Sequence, residues 1–235
     1  IPAIMHEIGR LREVTFREVG EGTNRSIDLD EFDLYYHHLF LWDKEAKKLV
    51  GGYRLGKGDT IMSRYGMKGF YTQTLFKMDF YMTPIMEKAI ELGRSFIAKD
   101  YQTKLLPLFL LWKGILHTLI NNPQYRYLIG PVSISNQYSE ISKSLLIEFI
   151  KRNYYNHELA QHVKPRKPFK PKTKKVDLEI LLERSGNDLN TLNKYIEGIE
   201  TSHHGIPVLL KKYIKQNARI IAFNVDPLFE NALDG

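Results

Sequence analysis

His37–Gly56 reads HHLFLWDKEAKKLVGGYRLG. Two runs rich in aliphatic and aromatic residues, HHLFLWD and KKLVGGYRLG, flank the turn-like KEA, and this arrangement predicts two antiparallel strands joined as a hairpin. Upstream, Ile4, Ile8, Leu11, Val14 and Phe16 recur among charges near the helical period, and Gly20 and Gly22 end the run, so residues 3–19 predict an opening helix. The intervening EGTNRSIDLDEFDLYYHH is polar and acidic with aromatics inside it and reads as a structured loop. Downstream, FYTQTLFKMDF from Phe70 alternates as a strand does, IMEKAI after Pro84 is a short helical piece, and ELGRSFI reads as a strand. A long helix is expected from about Lys104 to Asn121, with Pro107 tolerated in its first turn. YRYLIGPVSIS predicts a buried strand, SEISKSLLIEFIKRNYY from Ser139 an amphipathic helix, IPVLLKKYIKQN a helix and ARIIAFNV a last strand. Because the hairpin precedes any strand–helix alternation, the order predicts a mixed α/β layer with an antiparallel start, not a Rossmann sheet.

The chain has 235 residues, 34 Lys plus Arg against 27 Asp plus Glu, and no cysteine. A chain of this size buries enough surface to need no disulfide or structural metal. Absence of cysteine excludes thiol catalysis and makes a reducing, cytoplasmic setting the default. The net charge of +7 is local, since QHVKPRKPFKPKTKK at 161–175 carries seven basic residues and no acid. Its prolines at 165, 168 and 171 exclude helix and inner strand, so it reads as a linker or extended arm. The expected organisation is a core over 1–160, this arm over 161–175, and a C-terminal part over 176–235 that completes the same domain. The arm has three readings: a solvated linker, a peripheral anchor on the anionic inner membrane face, or a tail that binds nucleic acid without sequence preference. No leader-like segment opens the chain, and its start without Met reads as part of a longer polypeptide. LLPLFLLW at Leu105–Trp112 falls well short of the about 20 residues that cross a bilayer.

Several motifs dissolve on inspection. GGYRLGK at Gly51–Lys57 resembles part of a phosphate loop, but Gly58 stands where a hydroxyl must meet magnesium, and no helix is expected to follow. The doublets His37-His38 and His203-His204 lack the spacing of a zinc site, so no metal is expected. Asn24-Arg25-Ser26 matches a glycosylation sequon without a secretory context. More informative are charged residues beside apolar segments: Arg12 near Phe16, Asp30 and Asp33 in DEFD, Arg54, and Glu91 with Arg94 in ELGR. Such groups must be paired or must face a cleft. On a regular strand Glu91 and Arg94, three apart, project from opposite faces and need different partners. An ion-pair network explains these residues as well as an active site does.

The run Arg12-x-x-x-Phe16, Asp30-x-x-Asp33, Arg54 and Glu91-x-x-Arg94 resembles acyl-homoserine-lactone synthases. It is more similar still to the ornithine and glycine lipid N-acyltransferases, often labelled hemolysins. That similarity extends through LREVTFREVGEGT, DEFDLYYHHLFLWD, VGGYRLG, ELGRSFI, YLIGPVSIS and IPVLLKKYIKQNARI, most of the chain in the right order. The resemblance implies a GNAT fold, with a mixed, largely antiparallel central sheet flanked by helices. It implies a fatty acyl donor on acyl carrier protein, a small amine as acceptor, no bound cofactor, and a lyso-aminolipid product, with glycine the first choice of amino acid and ornithine the second. Family members can carry an additional O-acyltransferase domain. Two alternatives remain: a non-catalytic basic module for membrane or nucleic acid on the same fold, and a synthase of acyl-amine signals.

Residue roles follow as implications of the resemblance. Glu91 matches the acidic residue of the central strand and is the expected general base for the attacking amine. Arg12, Asp30, Asp33 and Arg94 are expected to form the network that shapes the acceptor pocket and fixes the opening helix, with Phe16 beside it. Arg54 is expected to bind an amino-acid carboxylate in bidentate fashion. Enzymes that use coenzyme A hold its pyrophosphate on a glycine-rich turn, whereas IAKDYQTKLLP has no glycine. A carrier-protein donor brings one phosphodiester, for which a helix start near Lys104 suffices. Surface Lys and Arg would steer the acidic carrier. The apolar helix from Leu105 reads as ordinary core, with one wall of an acyl tunnel as the alternative.

Overall fold

The computed structural model describes residues 2–171, 175–202 and 204–235; Lys172 and Lys174 of the basic stretch and His203 of the second histidine doublet lie outside the described residues. In chain order the elements are helix α1 (Pro2–Glu18), strands β1 (His37–Asp43) and β2 (Lys48–Lys57), helices α2 (Gly58–Tyr65) and α3 (Thr72–Leu75), and strand β3 (Phe76–Met78). Helix α4 (Thr83–Glu87), strand β4 (Ala89–Ile97), helix α5 (Leu106–Ile120) and strands β5 (Tyr127–Ile129) and β6 (Ser133–Ile134) follow. Then come α6 (Glu140–Asn153), α7 (His157–Ala160), β7 (Val163–Pro165), α8 (Lys175–Ser185), α9 (Leu189–Ile199), α10 (Val208–Lys215), β8 (Asn224–Asp226) and β9 (Ala232–Asp234). They divide into two compact units, Ile1–Thr74 with Met78–Pro131, and Leu75–Lys77 with Val132–Gly235. The expected organisation drew its break at 160, whereas the units part at 131–132.

The first unit is built on a sheet of order β1-β2-β4-β5. The hairpin forms as its sequence predicts: Asp43 Oδ1 accepts the N–H groups of Glu45 and Ala46 at 3.0 and 2.9 Å, and Lys47 takes a left-handed φ of 51° to reverse the chain. β1, β2 and β4 are antiparallel, and β5 joins β4 in parallel, so the sheet is mixed and largely antiparallel. Helix α5 covers one face, where Leu111 and Ile115 pack on Tyr53, Leu55, Ile90 and Leu92. On another core cluster Ile8 of α1 meets Leu49 and Phe96, with Phe16 packed beside them. The second unit holds a larger apolar cluster, in which Leu146 and Phe149 of α6 pack with Leu182 of α8, Leu192 of α9 and Leu210 of α10. Its sheet has the order β6-β9-β8.

Four expectations need correction. FYTQTLFKMDF is only a three-residue strand after a helical turn, because the N–H groups of Gln73 and Thr74 bond locally to the carbonyls of Phe70 and Tyr71. YRYLIGPVSIS is two strands in two different sheets, parted at Gly130-Pro131. ARIIAFNV contributes a single bridge at Ile220 and the short β8, while β9, which pairs with it, follows in a segment without strand-like alternation. The basic stretch is no free arm: Val163–Pro165 pairs with β3, the Lys167 N–H donates to Asn224 Oδ1 at 2.7 Å, and Phe169 packs on the second unit's core. Its prolines are compatible with this because β3 and β7 form a two-stranded ribbon with no inner strand.

A helix does follow GGYRLGK, since α2 starts at Gly58. The glycines there have steric reasons: a Cβ on Gly58 would collide with the carbonyl oxygen of Met86, and one on Gly56 would collide with the Tyr36 ring. Gly58→Ala is therefore expected to destabilise the fold by about 1–3 kcal/mol in urea unfolding. Gly93→Ala, where a Cβ meets open space, should leave the urea midpoint nearly unchanged; equal midpoints for the two variants would contradict the packing around Gly58.

Candidate active site

The site grows from DEFD. Asp30 caps a single 3-10 turn, Glu31–Leu34, its Oδ1 accepting the Phe32 N–H at 3.0 Å while Asp33 Oδ2 accepts the Asp30 N–H at 2.9 Å. The spacing of the two aspartates is thus that of a capping box. Their remaining lone pairs face arginines from three elements. Arg12 of α1 donates to Asp33 at 2.8 Å, Arg54 of β2 to Asp30 at 2.5 Å and lies 3.3 Å from Asp33, and Arg94 of β4 donates to Asp30 at 3.1 Å. Asp28, which sequence reasoning missed, pairs with Arg94 Nε at 2.9 Å. Three arginines and three aspartates balance in a nearly dry cluster, whose most open side chain is Asp30 at 22% exposure. The acidic run Asp28-x-Asp30-x-x-Asp33 was the available signal for the third carboxylate.

Burial favours the neutral forms, but the guanidinium groups of Arg12 and Arg54 overcome it at Asp33 and hold its carboxyl down at about 2. At Asp28 burial wins and pushes the carboxyl up. His38 is likewise lowered by burial and by Arg12, whose Nη2 lies 3.3 Å from its Nδ1. Arg54 is further enclosed by the rings of Phe32, Tyr36 and Tyr71, with its guanidinium carbon 5.2–5.5 Å from their centroids.

Three expected placements change. Arg54 is 1% exposed and gives Nη1 to Asp30 and Asp33, while its Nε–Nη2 edge has no hydrogen-bond partner and is closed off by burial from a substrate carboxylate. Glu91 and Arg94 do not diverge, because β4 carries a bulge: Gly52 pairs with Phe96 and Arg54 with Gly93, leaving one extra residue on β4, and Arg94 takes a left-handed φ of 51°. The bulge restores Arg94 to the side of Glu91, and both reach Tyr71. Phe16 joins the Ile8, Leu49 and Phe96 cluster instead of the ion network.

Glu91 is 1% exposed. Its carboxylate accepts the Tyr36 hydroxyl and the backbone N–H groups of Tyr71 at 3.0 Å and Thr72 at 2.7 Å. Burial and the adjacent Glu91 charge push the Tyr36 hydroxyl far up, so it stays protonated and donates. Tyr36 and Tyr71 carried no sequence signal, since their role depends on Gly56, opposite Glu91 in register, leaving room for a ring. The pairing of β4 with β5 ends at Glu91↔Ile129, and Gly130 still lies close against the Leu92 carbonyl. A cavity of about 230 Å³ lined by His37, His38, Lys57, Ile90 and Thr118 lies near the same strand, but Glu91 is not among its walls. Lys104 precedes α5 by two residues, exposed, with its amino group 4.9 Å from the Tyr101 ring centroid. No cluster among the described residues has the make-up of a metal site.

The mixed, largely antiparallel sheet with a bulged β4 and flanking helices is a GNAT fold, and residues 11–112 match the acetyltransferase (GNAT) domain family. The chain is similar over most of its length to N-acyltransferases that share this domain. It is 29% identical to the glycine N(alpha)-acyltransferase of Phocaeicola vulgatus over 226 residues, covering 91% of this chain and 68% of the relative. It is 32% identical to the glycine N(alpha)-acyltransferase of Bacteroides thetaiotaomicron over 202 residues, covering 81% of this chain and 56% of the relative. The chain therefore spans between just over half and about two thirds of the length of these relatives. No solved structure matches.

Asp33 supplies a pH test. Its folded value of about 2 lies below the ordinary 3.8, so its stabilisation is present above pH 4 and lost as pH falls towards 2. Asp33→Asn is expected to cost about 3–5 kcal/mol near neutrality, and its deficit against the unsubstituted protein should shrink between pH 4 and 2 in urea unfolding. A deficit that stays constant over that range would show that the Asp33 charge is not what stabilises the cluster.

Proposed function

We propose that this chain is an N-acyltransferase that moves a fatty acyl chain, 3-hydroxylated for preference, from the thioester of acyl carrier protein to the amino group of an amino acid, with glycine the first choice of acceptor and ornithine the alternative. The product is an N-acyl amino acid, a lyso-aminolipid. The observation that carries the reading is the position of Glu91, the last residue of β4 paired with β5. The match of residues 11–112 to the acetyltransferase (GNAT) domain family and the likeness to two glycine N(alpha)-acyltransferases support the reaction class and the acceptor.

In the reaction the neutral amine nitrogen attacks the thioester carbonyl, an N–C bond forms, the C–S bond breaks, and the departing thiolate takes up a proton. The backbone N–H groups of β4 just past its last β5 pair would meet the developing oxyanion. Because both Glu91 oxygens are engaged and buried, the amine proton reaches it through Tyr36: the phenol accepts the amine proton as it passes its own to Glu91. Lys104 and the first turn of α5 would receive the single phosphodiester of the carrier's prosthetic arm. Arg12, Arg94 and the three aspartates hold these parts in place without touching the reacting atoms.

The decisive experiment incubates the protein with acyl carrier protein bearing a 3-hydroxyacyl chain and a panel of amino acids, read by mass spectrometry. N-acylglycine is the expected product, and absence of any N-acylated amino acid across the panel would reject the enzyme reading. Glu91→Gln and Tyr36→Phe should each lower kcat by about 10²–10⁴ with KM for the amino acid little changed. Full kcat in Glu91→Gln, at an unchanged unfolding midpoint, would remove Glu91 as proton acceptor; full kcat in Tyr36→Phe alone would remove the relay.

A further inference from the structure

The two ring nitrogens of His38 face different partners, and together those partners assign its proton. Nδ1 lies 3.3 Å from Arg12 Nη2. A guanidinium stays charged in a protein and has no lone pair to offer, so Nδ1 must be the acceptor. Nε2 lies 3.3 Å from the Asp33 carbonyl oxygen and 3.7 Å from Asp33 Oδ1, both acceptors. Nε2 must therefore carry the hydrogen. Each contact, taken alone, selects the same species, a neutral imidazole protonated on Nε2. The side chain is 14% exposed on β1, and its charged neighbours are those of the ion cluster: Arg12 from α1, Asp33 from the capped turn and Arg54 from β2. Asp33 has little left for a further cation, since its Oδ1 already takes Arg12 at 2.8 Å and lies 3.3 Å from Arg54. Protons reach the ring because His38 is one wall of the cavity of about 230 Å³ that it shares with His37 and Lys57.

We propose that His38 is an acid-sensitive latch on the arginine–aspartate cluster: a neutral imidazole whose Nδ1 lone pair holds Arg12, and which releases Arg12 when it takes up a second proton. Uptake at Nδ1 turns the acceptor into a donor and sets an imidazolium beside Arg12 and Arg54, with Lys57 on the same cavity. The balance of three arginines and three aspartates then tips by one charge in surroundings that solvate it poorly. Arg12 ties α1 to the capped turn through Asp33, so the loosening falls first on that tie. Burial first and Arg12 second hold the folded ring below its ordinary 6.5. The unfolded chain therefore binds this proton at a higher pH than the folded one, and the stabilisation is full above pH 6.5 and is lost as pH falls towards the folded value. That window lies above the one in which Asp33 titrates, between pH 4 and 2. The latch goes beyond the acyl-transfer reading and does not depend on it.

The test compares urea unfolding of the unsubstituted protein and His38→Asn in steps from about pH 7.5 to about pH 5, followed by the emission of Trp42 and Trp112, both in the first unit. The asparagine Oδ1 stands near the Nδ1 position and accepts from Arg12 without titrating. Below pH 6.5 the folding equilibrium of the unsubstituted protein should fall against that of the variant by up to about tenfold per pH unit. Nitrogen-15 NMR of the unsubstituted protein, its histidine rings assigned from backbone connectivity, should show the His38 hydrogen on Nε2 and a bare Nδ1 at neutral pH. The ring should still be mostly neutral at pH 6.5. Parallel pH profiles for the two proteins, a hydrogen on Nδ1 at neutral pH, or a His38 ring that titrates at or above 6.5 would each overturn the latch. The NMR measurement needs no variant and decides the matter alone if His38→Asn does not fold. Neither readout uses activity, so a protein without acyl transfer leaves the latch standing, and a failed latch leaves the acyl-transfer reading standing.

Discussion

Three arginines and three aspartates, almost without water, join α1, the capped turn at 30–34, β2 and β4 in a single cluster. No member is dispensable, because removing one charge from a buried, balanced set strands another in a medium that solvates it poorly. The cluster also sets the shape of β4: Arg94 reaches Asp28 and Asp30 only because the bulge turns it back to their side, and the left-handed backbone at Arg94 is the strain this requires. The aromatic cage of Phe32, Tyr36 and Tyr71 closes over Arg54 and completes the shielding.

Glu91 stands one step outside that network. Its partners are a phenol and two backbone N–H groups, not an arginine. The division is physical: the arginine-paired aspartates tie the elements together, and Glu91, held by a phenol and two backbone N–H groups, stands at the end of the β4–β5 pairing. Helix α5 follows from the same sheet, using one face to cover Ile90 and Leu92 and keeping the other apolar and uncovered.

Much of the first unit was legible. The opening helix, the hairpin, the β4 strand and the long helix all follow from local periodicity and turn chemistry, and each was confirmed within a few residues of its expected span. The second unit was harder to read. Its three-residue strands are too short to show alternation, and prolines at 165, 168 and 171 suggested an arm where a two-stranded ribbon and core contacts exist. For α5, apolar composition implied burial on every side, since a sequence contains no information about which face a neighbour will cover.

By itself the sequence determined the residue types of the site and their order: the spaced arginines, the Asp30-x-x-Asp33 capping box, Glu91 on a central strand and a charge-neutral body outside 161–175. Tertiary structure alone decided who pairs with whom. It withdrew Arg54 from substrate binding, added Asp28, enlisted Tyr36 and Tyr71 around Glu91, and turned Arg94 to the same side through one extra residue in β4. The reason is that side-chain partnership depends on register and on the faces of strands that meet across 20 to 60 residues of chain, and a single bulge reverses a face without leaving any mark in the periodicity of its own strand.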